Sequence, residues 1–256
     1  MRYKITLSYD GSDFRGWQVQ NNAKSIQECI QDALSTLLKE EIAVTGAGRT
    51  DSGVNAINYV AHFDTSVWDL DAELVGYKIN AILPHGIKVH GIVPADGEFH
   101  ARFDARLREY KYFIHRNKDP FSLKYSYLYT FPLDVGRMNR AAEKLLGTHD
   151  FSCFEKVGGN NKTSICAVKT AFWETYTPDH VRIMGYPADE NDYLVFTIRA
   201  DRFLRNMVRA VVGTLLDIGR GRREETWIDE LLQGGSRSDA GESVPGHALF
   251  LSKVEY

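Results

Sequence analysis

Cysteine is scarce: Cys29, Cys153 and Cys166 are the only three in 256 residues. Three scattered thiols cannot build a disulfide framework, and without a C-x-x-C pair they offer no zinc knuckle. The eight histidines contain no H-E-x-x-H and have no cysteine partner at zinc spacing, so no metal ligand set is indicated. No run approaches the ~18–20 apolar residues that a membrane span needs. Proline is sparse, at seven, and no Pro- or Ser-rich linker or low-complexity tract divides the chain. Met1-Arg2-Tyr3-Lys4-Ile5-Thr6 enters an alternating strand at once, which leaves no room for a signal peptide. A reducing cytoplasm is the expected compartment.

An excess of positive charge is also missing. The net charge is −3, which by itself does not mark a nucleic-acid binder. The distribution is more telling. Between Arg199 and Arg223 seven arginines stand against Asp201 and Asp217, and between Glu98 and Lys124 seven basic side chains stand against four acidic ones. Such clusters fit either phosphate contacts or ordinary solvated surface.

What is present is strand patterns followed by helix patterns, twice over. Tyr3, Ile5, Leu7 and Tyr9 alternate with polar residues, as do Ile57, Tyr59, Ala61 and Phe63. Ser25-Ile26-Gln27-Glu28 reads as a capping box, opening a helix with Ile26, Ile30, Ala33, Leu34, Leu37 and Leu38 on one stripe. The second half repeats the rhythm. Tyr110, Tyr112 and Ile114 alternate, and Asp134 caps a helix carrying Met138, Ala141, Ala142, Leu145 and Leu146, with Gly147 as its stop. Strands over 165–175 and 193–200 follow. A final helix opens near Phe203, with Leu204, Met207, Val208, Val211, Val212, Leu215 and Leu216 inward and Gly219 at its end. Arg202, Arg205 and Arg209 would then share a basic stripe. Strands and helices without a steady βαβ alternation indicate an α+β fold with antiparallel sheet.

The most informative stretch is Gly46-Ala47-Gly48-Arg49-Thr50-Asp51-Ser52-Gly53-Val54-Asn55-Ala56. Its glycines and alanines place an arginine and a carboxylate on a backbone that a ligand can approach closely. A dinucleotide fingerprint fails because Asp51 stands at the third glycine position, and a P-loop fails because no Gly-Lys-Ser/Thr ends the loop. A polar turn remains the alternative for a bare loop of this kind.

Four motifs in order remove that ambiguity. Gly48-Arg49-Thr50-Asp51-Ser52-Gly53-Val54 resembles the G-R-T-D-[AS]-G-V signature of the tRNA pseudouridine synthase A family. Tyr9-Asp10-Gly11 through Gly16-Trp17-Gln18-Val19-Gln20 resembles its opening Y-D-G…G-W-Q-x-Q. Phe99-His100-Ala101-Arg102-Phe103, followed by Arg108-Glu109-Tyr110-Lys111-Tyr112, resembles F-H-A-R-F/Y and its sequel. Phe203-Leu204-Arg205-Asn206-Met207-Val208-Arg209 resembles the late F-L-x-x-M-V-R. The resemblance runs over nearly the whole chain.

The resemblance implies two ferredoxin-like halves, 1–104 and 105–256, whose mainly antiparallel sheets join with a catalytic cleft between them. It implies an isomerase that turns uridine into pseudouridine at nucleotides 38, 39 and 40 of the tRNA anticodon stem-loop, as a homodimer and with no cofactor or metal. Asp51 would be the nucleophile, acting by covalent addition or by proton removal at C2′. Tyr110 would stack on the target base, Arg209 would hold Asp51 ionised, and Arg49 would help to extrude the nucleotide. On the residues alone, a structural salt bridge is the alternative for Arg49, and Tyr110 shares its strand face with Tyr112, where core packing is the usual fate. A non-catalytic RNA-binding protein on this fold, or a synthase acting on another RNA, are the rival readings. Two departures stand out: Asn55 replaces the family's usual histidine, and Cys166 stands where arginine is frequent.

Overall fold

Alternation of apolar and polar residues sets the first strand, β1 (Arg2–Tyr9), whose odd-numbered side chains are buried from Tyr3 to Tyr9. The computed structural model describes residues 1–156, 158 and 162–256. The chain divides into two compact units, Met1–Arg108 with Phe250–Tyr256, and Glu109–Leu249.

In the first unit, β1 is followed by α1 (Ile26–Leu38), β2 (Val44–Gly46), β3 (Asn55–Asp64), α2 (Ala72–Ile82) and β4 (Ile87–Pro94). The capping box forms as expected: Ser25 Oγ accepts from Glu28 N–H at 3.2 Å, and the Glu28 carboxylate accepts from Ser25 N–H at 3.3 Å. β1 lies antiparallel between β3 and β4, and β2 pairs antiparallel with β3. The resulting order, β4-β1-β3-β2, with helices after β1 and β3, is the ferredoxin-like arrangement.

One face assignment reverses. Ile57 is exposed, not buried with Tyr59, because Asn58 adopts φ 55° and the β1–β3 register shifts between Leu7 and Tyr9. The extra residue puts Ala56 opposite Tyr9 and turns Ile57 outward.

The second unit contains β5 (Leu107–His115), β6 (Tyr127–Leu128), α3 (Val135–Glu143), β7 (Gly147–Asp150), β8 (Ile165–Thr175), α4 (Asp179–Arg182), β9 (Tyr193–Ala200), α5 (Met207–Gly219) and α6 (Trp227–Leu232). β7, β8 and β9 form an antiparallel meander with β5 beside β9. Tyr110, Tyr112 and Ile114 are all buried on β5. Asp134 caps α3 by accepting from Arg137 N–H at 2.9 Å. That helix ends at Glu143, so Leu145 and Leu146 lie in a tightened turn beyond it, and Gly147, with φ 101°, opens β7.

α5 begins later than its apolar pattern indicates. Asn206 sits at its N-cap in the left-handed region with φ 66°, which separates Phe203–Arg205 from the helix. The basic stripe therefore does not form: Arg209 is helical, whereas Arg202 and Arg205 precede the cap. Nearly every side chain of α5 is buried, and burial contributes about 1.5–3 kcal/mol for each large apolar residue. Finally β10 (Leu249–Glu255) pairs parallel with β3, placing Phe250 and Leu251 opposite Asn55 and Ala56.

Candidate active site

The loop between β2 and β3 is fixed almost residue by residue. Ala47 N–H donates to the Val60 carbonyl at 2.8 Å. The Tyr59 hydroxyl accepts from Gly48 N–H at 3.2 Å and donates to the Gly48 carbonyl. Thr50 is buried, with Oγ1 2.9 Å from the Tyr9 hydroxyl, and its carbonyl accepts from Trp17 N–H at 3.2 Å. The Asp51 carbonyl accepts from Val54 N–H at 3.1 Å, closing a turn over Ser52 and Gly53. On this frame Arg49 is exposed and Asp51 is half-buried. A carboxylate carried on so fixed a backbone is preorganised to meet a bound ligand.

The opening motif supplies the floor of the loop. Gly16 has φ 90°, and a Cβ there would press on the Thr50 carbonyl; a Cβ at Gly11 would overlap the Val54 carbonyl. Trp17 is buried against Tyr59, with ring centroids 4.2 Å apart. Asn55 is buried as well, and its Oδ1 accepts from Gly11 N–H at 2.9 Å. Here the amide ties the floor to the loop, a task for which an acceptor atom suffices.

The second unit carries Tyr110 and Arg209. Tyr110 is 9% exposed, and its ring meets Phe203 edge-on at 5.0 Å. Tyr112 is fully buried two residues on, its hydroxyl donating to the Pro245 carbonyl at 3.0 Å, and burial raises its pKa. Tyr112 is thus held in the core by packing and by its hydroxyl bond. Arg209 is half-buried in the first turn of α5. Its Nε donates to the Val244 carbonyl at 2.7 Å, while Val244 N–H returns a bond to the Arg209 carbonyl at 3.2 Å. This reciprocal pair sets the plane of the guanidinium. The strap bearing Val244 fits closely because a Cβ at Gly213 would overlap the Glu242 carbonyl.

The seven arginines from Arg199 to Arg223 do not act as one patch. Arg199 lies 3.6 Å from Glu109, Arg222 lies 3.4 Å from Asp217, and Arg220 stacks 3.5 Å above the Phe131 ring. Cys153 and Cys166 are buried, and burial pushes each thiol up to about 12, which leaves neither as a nucleophile at neutral pH. Cys166 faces the interior of its unit, so a ligand contact from that position is ruled out by its burial. Among the described residues no group of three or more His, Cys, Asp or Glu could hold a metal ion, and no helix is long and apolar enough to cross a membrane.

A family model described as tRNA pseudouridine synthase matches residues 141–256. Over 256 residues the chain is 46% identical to tRNA pseudouridine synthase A of Bacteroides fragilis, covering 100% of this chain and 96% of that protein. It is 41% identical over 263 residues to tRNA pseudouridine synthase A of Bacillus subtilis, covering 100% and 99%. The chain belongs to the tRNA pseudouridine synthase A family. Members of this synthase family are isomerases, and the relatives' alignments extend over both units, so the family likeness includes the Asp51 loop as well as the C-terminal portion.

Sequence reasoning assigned no individual role to Gly11, Gly16, Asn55 or Arg108, although three lie inside family motifs. For Gly11 and Gly16 the signal was a glycine within a motif, which indicates a close approach without naming the partner; Asn55 and Arg108 carried no such signal. Gly11→Ala is expected to lower stability by about 1–3 kcal/mol, since only backbone atoms stand in the way of the new methyl group. Urea unfolding would check this; an unchanged midpoint would show that the loop gives way easily.

Proposed function

We propose that this protein converts uridine to pseudouridine at nucleotides 38, 39 and 40 of the tRNA anticodon stem-loop, as a cytoplasmic homodimer. The observation that carries the reading is the Asp51 loop: a half-buried carboxylate on a backbone held by Tyr9, Trp17 and Tyr59, in a chain of this synthase family. The reaction is an isomerisation. The N1–C1′ bond breaks, the uracil turns, C5 joins C1′, and the proton lost from C5 balances the one gained at N1. No electrons leave or enter, so the chemistry needs no redox partner. Asp51 serves either by adding to the reacting centre or by removing the C2′ proton.

Tyr110 stacks on the base in this proposal. A ring face holds a base that must rotate, where in-plane hydrogen bonds would lock it. The edge contact with Phe203 sets the ring plane for that task. Arg49, exposed two residues before Asp51, assists extrusion of the nucleotide and then holds its backbone. Arg209 keeps Asp51 ionised and oriented. Tyr110→Phe retains the ring and is expected to bind a stalled substrate analogue normally. Tyr110→Leu loses stacking worth roughly 1–3 kcal/mol. Equal binding by the two variants would remove the stacking role.

The substrate assignment is tested by mapping products on a panel of transcripts. Uridines at nucleotides 38, 39 and 40 are expected to react and those at nucleotide 55 are not. Isolated stem-loops are expected to react more slowly than full tRNA, because phosphate contacts far from the target add to affinity. Modification confined to nucleotide 55, or to ribosomal RNA, would overturn the assignment.

A further inference from the structure

We infer that Arg108 is a positioning residue for the Asp51 loop, holding it through the carbonyl of Ala47. This rests on the reading of Asp51 as nucleophile. Arg108 is half-buried at the start of β5, and its guanidinium grips three carbonyls of the first unit. Nε and Nη2 both donate to the Ala47 carbonyl, at 3.3 and 2.9 Å. Nη1 donates to the Ala105 carbonyl at 3.1 Å, and Nη2 also donates to the Arg102 carbonyl at 2.7 Å. One guanidinium thus links the loop to the segment around Phe99–Arg106.

The peptide it grips is the one between Ala47 and Gly48. Its C=O is held by Arg108, and its N–H by the Tyr59 hydroxyl. With both ends of that peptide fixed, it cannot rotate, and rotation there would swing Arg49 and Asp51 together. The opposite anchor is equally firm. Ala101 N–H donates to His62 Nδ1 at 3.1 Å, and the Tyr256 hydroxyl donates to the Ala101 carbonyl at 2.7 Å. Burial lowers the pKa of His62, which keeps the ring neutral and able to accept. Arg102 and Phe103 N–H both point at His100 Nδ1, at 3.2 and 3.3 Å. The F-H-A-R-F motif, which the chemistry does not otherwise use, is the bracket on which Arg108 rests.

Arginine suits this post because its planar fork reaches several acceptors at once, whereas lysine offers a single ammonium. A misplacement of about 1 Å at a reacting group can lower a rate on the order of 10²-fold.

Arg108→Met and Arg108→Lys, compared with Asp51→Asn, test the inference by single-turnover rate at saturating tRNA and by tRNA affinity over a salt series. Arg108→Met is expected to lower the rate on the order of 10²-fold while affinity and salt slope stay unchanged, with Arg108→Lys between it and the native protein. A native rate at saturation, with weaker binding and a salt slope lower by about one, would make Arg108 a phosphate contact and overturn the inference. If Arg108→Met does not fold, Arg108→Lys decides: a fall of about tenfold or more at unchanged affinity supports positioning, and any smaller fall overturns it. Turnover by Asp51→Asn would defeat the nucleophile reading, whatever Arg108 does. An inert Asp51→Asn beside a full-rate Arg108→Met would defeat the positioning role alone.

Discussion

Asp51→Asn is expected to stop pseudouridine formation, with a rate at least about 10⁴-fold below that of the native protein. The substitution keeps the shape of the side chain and removes the charge that the proposed chemistry uses to attack carbon or take a proton. Its carbonyl bond to Val54 N–H is a main-chain bond and survives, so the turn over Ser52 and Gly53 stays closed. Affinity for tRNA should hardly change, because a carboxylate supplies no attraction to phosphate and its loss removes a repulsion. Release of tritium from tRNA labelled at uracil C5 reports turnover directly. Release by Asp51→Asn at a rate clearly above about 10⁻⁴ of the native one would end the assignment.

Arg209→Ala is expected to lower turnover on the order of 10²-fold or more, the scale on which a charge-stabilising donor acts in an enclosed site. Arg205→Ala, on the exposed residue before the helix cap, should leave turnover near native. The two arginines lie four residues apart in sequence, yet only Arg209 has its guanidinium plane set by Val244. Removing an RNA phosphate contact instead lowers the salt slope of affinity by about one. A salt series and single-turnover rates on both variants separate the roles. Normal turnover by Arg209→Ala at saturating tRNA, with a loss of affinity alone, would contradict the prediction.

Strand patterns were the most legible part of the fold. β8 and β9 fall at 165–175 and 193–200, and Ser25 and Asp134 cap the helices they were expected to cap. Such features are local, and a strand's period or a cap's side chain acts within a few residues. The failures also have local causes that carry no sequence period. Asn58 and Asn206 take left-handed dihedrals, and each shifts a register that its neighbours' hydrophobicity alone would continue. α2 lacks a clean stripe, because Leu74, Tyr77 and Ile82 are exposed on it. For the candidate site, the residues bearing charge were readable from motif and composition. Their supports were not: the bond from Asn55 to Gly11 spans 44 positions, and that from Arg108 to Ala47 spans 61. No pattern along the chain encodes such partners.

The interruption of the first unit by Glu109–Leu249 imposes an order on its birth. Residues 1–108 leave the ribosome first, but the strand that pairs with Asn55 and Ala56 is made only after the entire second unit. At about 5–20 residues per second, that delay is roughly 7–30 s. During it, the edge of β3 next to the Asp51 loop is open to any other strand that arrives. A nascent chain therefore carries the Asp51 loop long before it carries the strand that closes the sheet beside it, and that edge is where a chaperone, or a misfolding partner, would take hold.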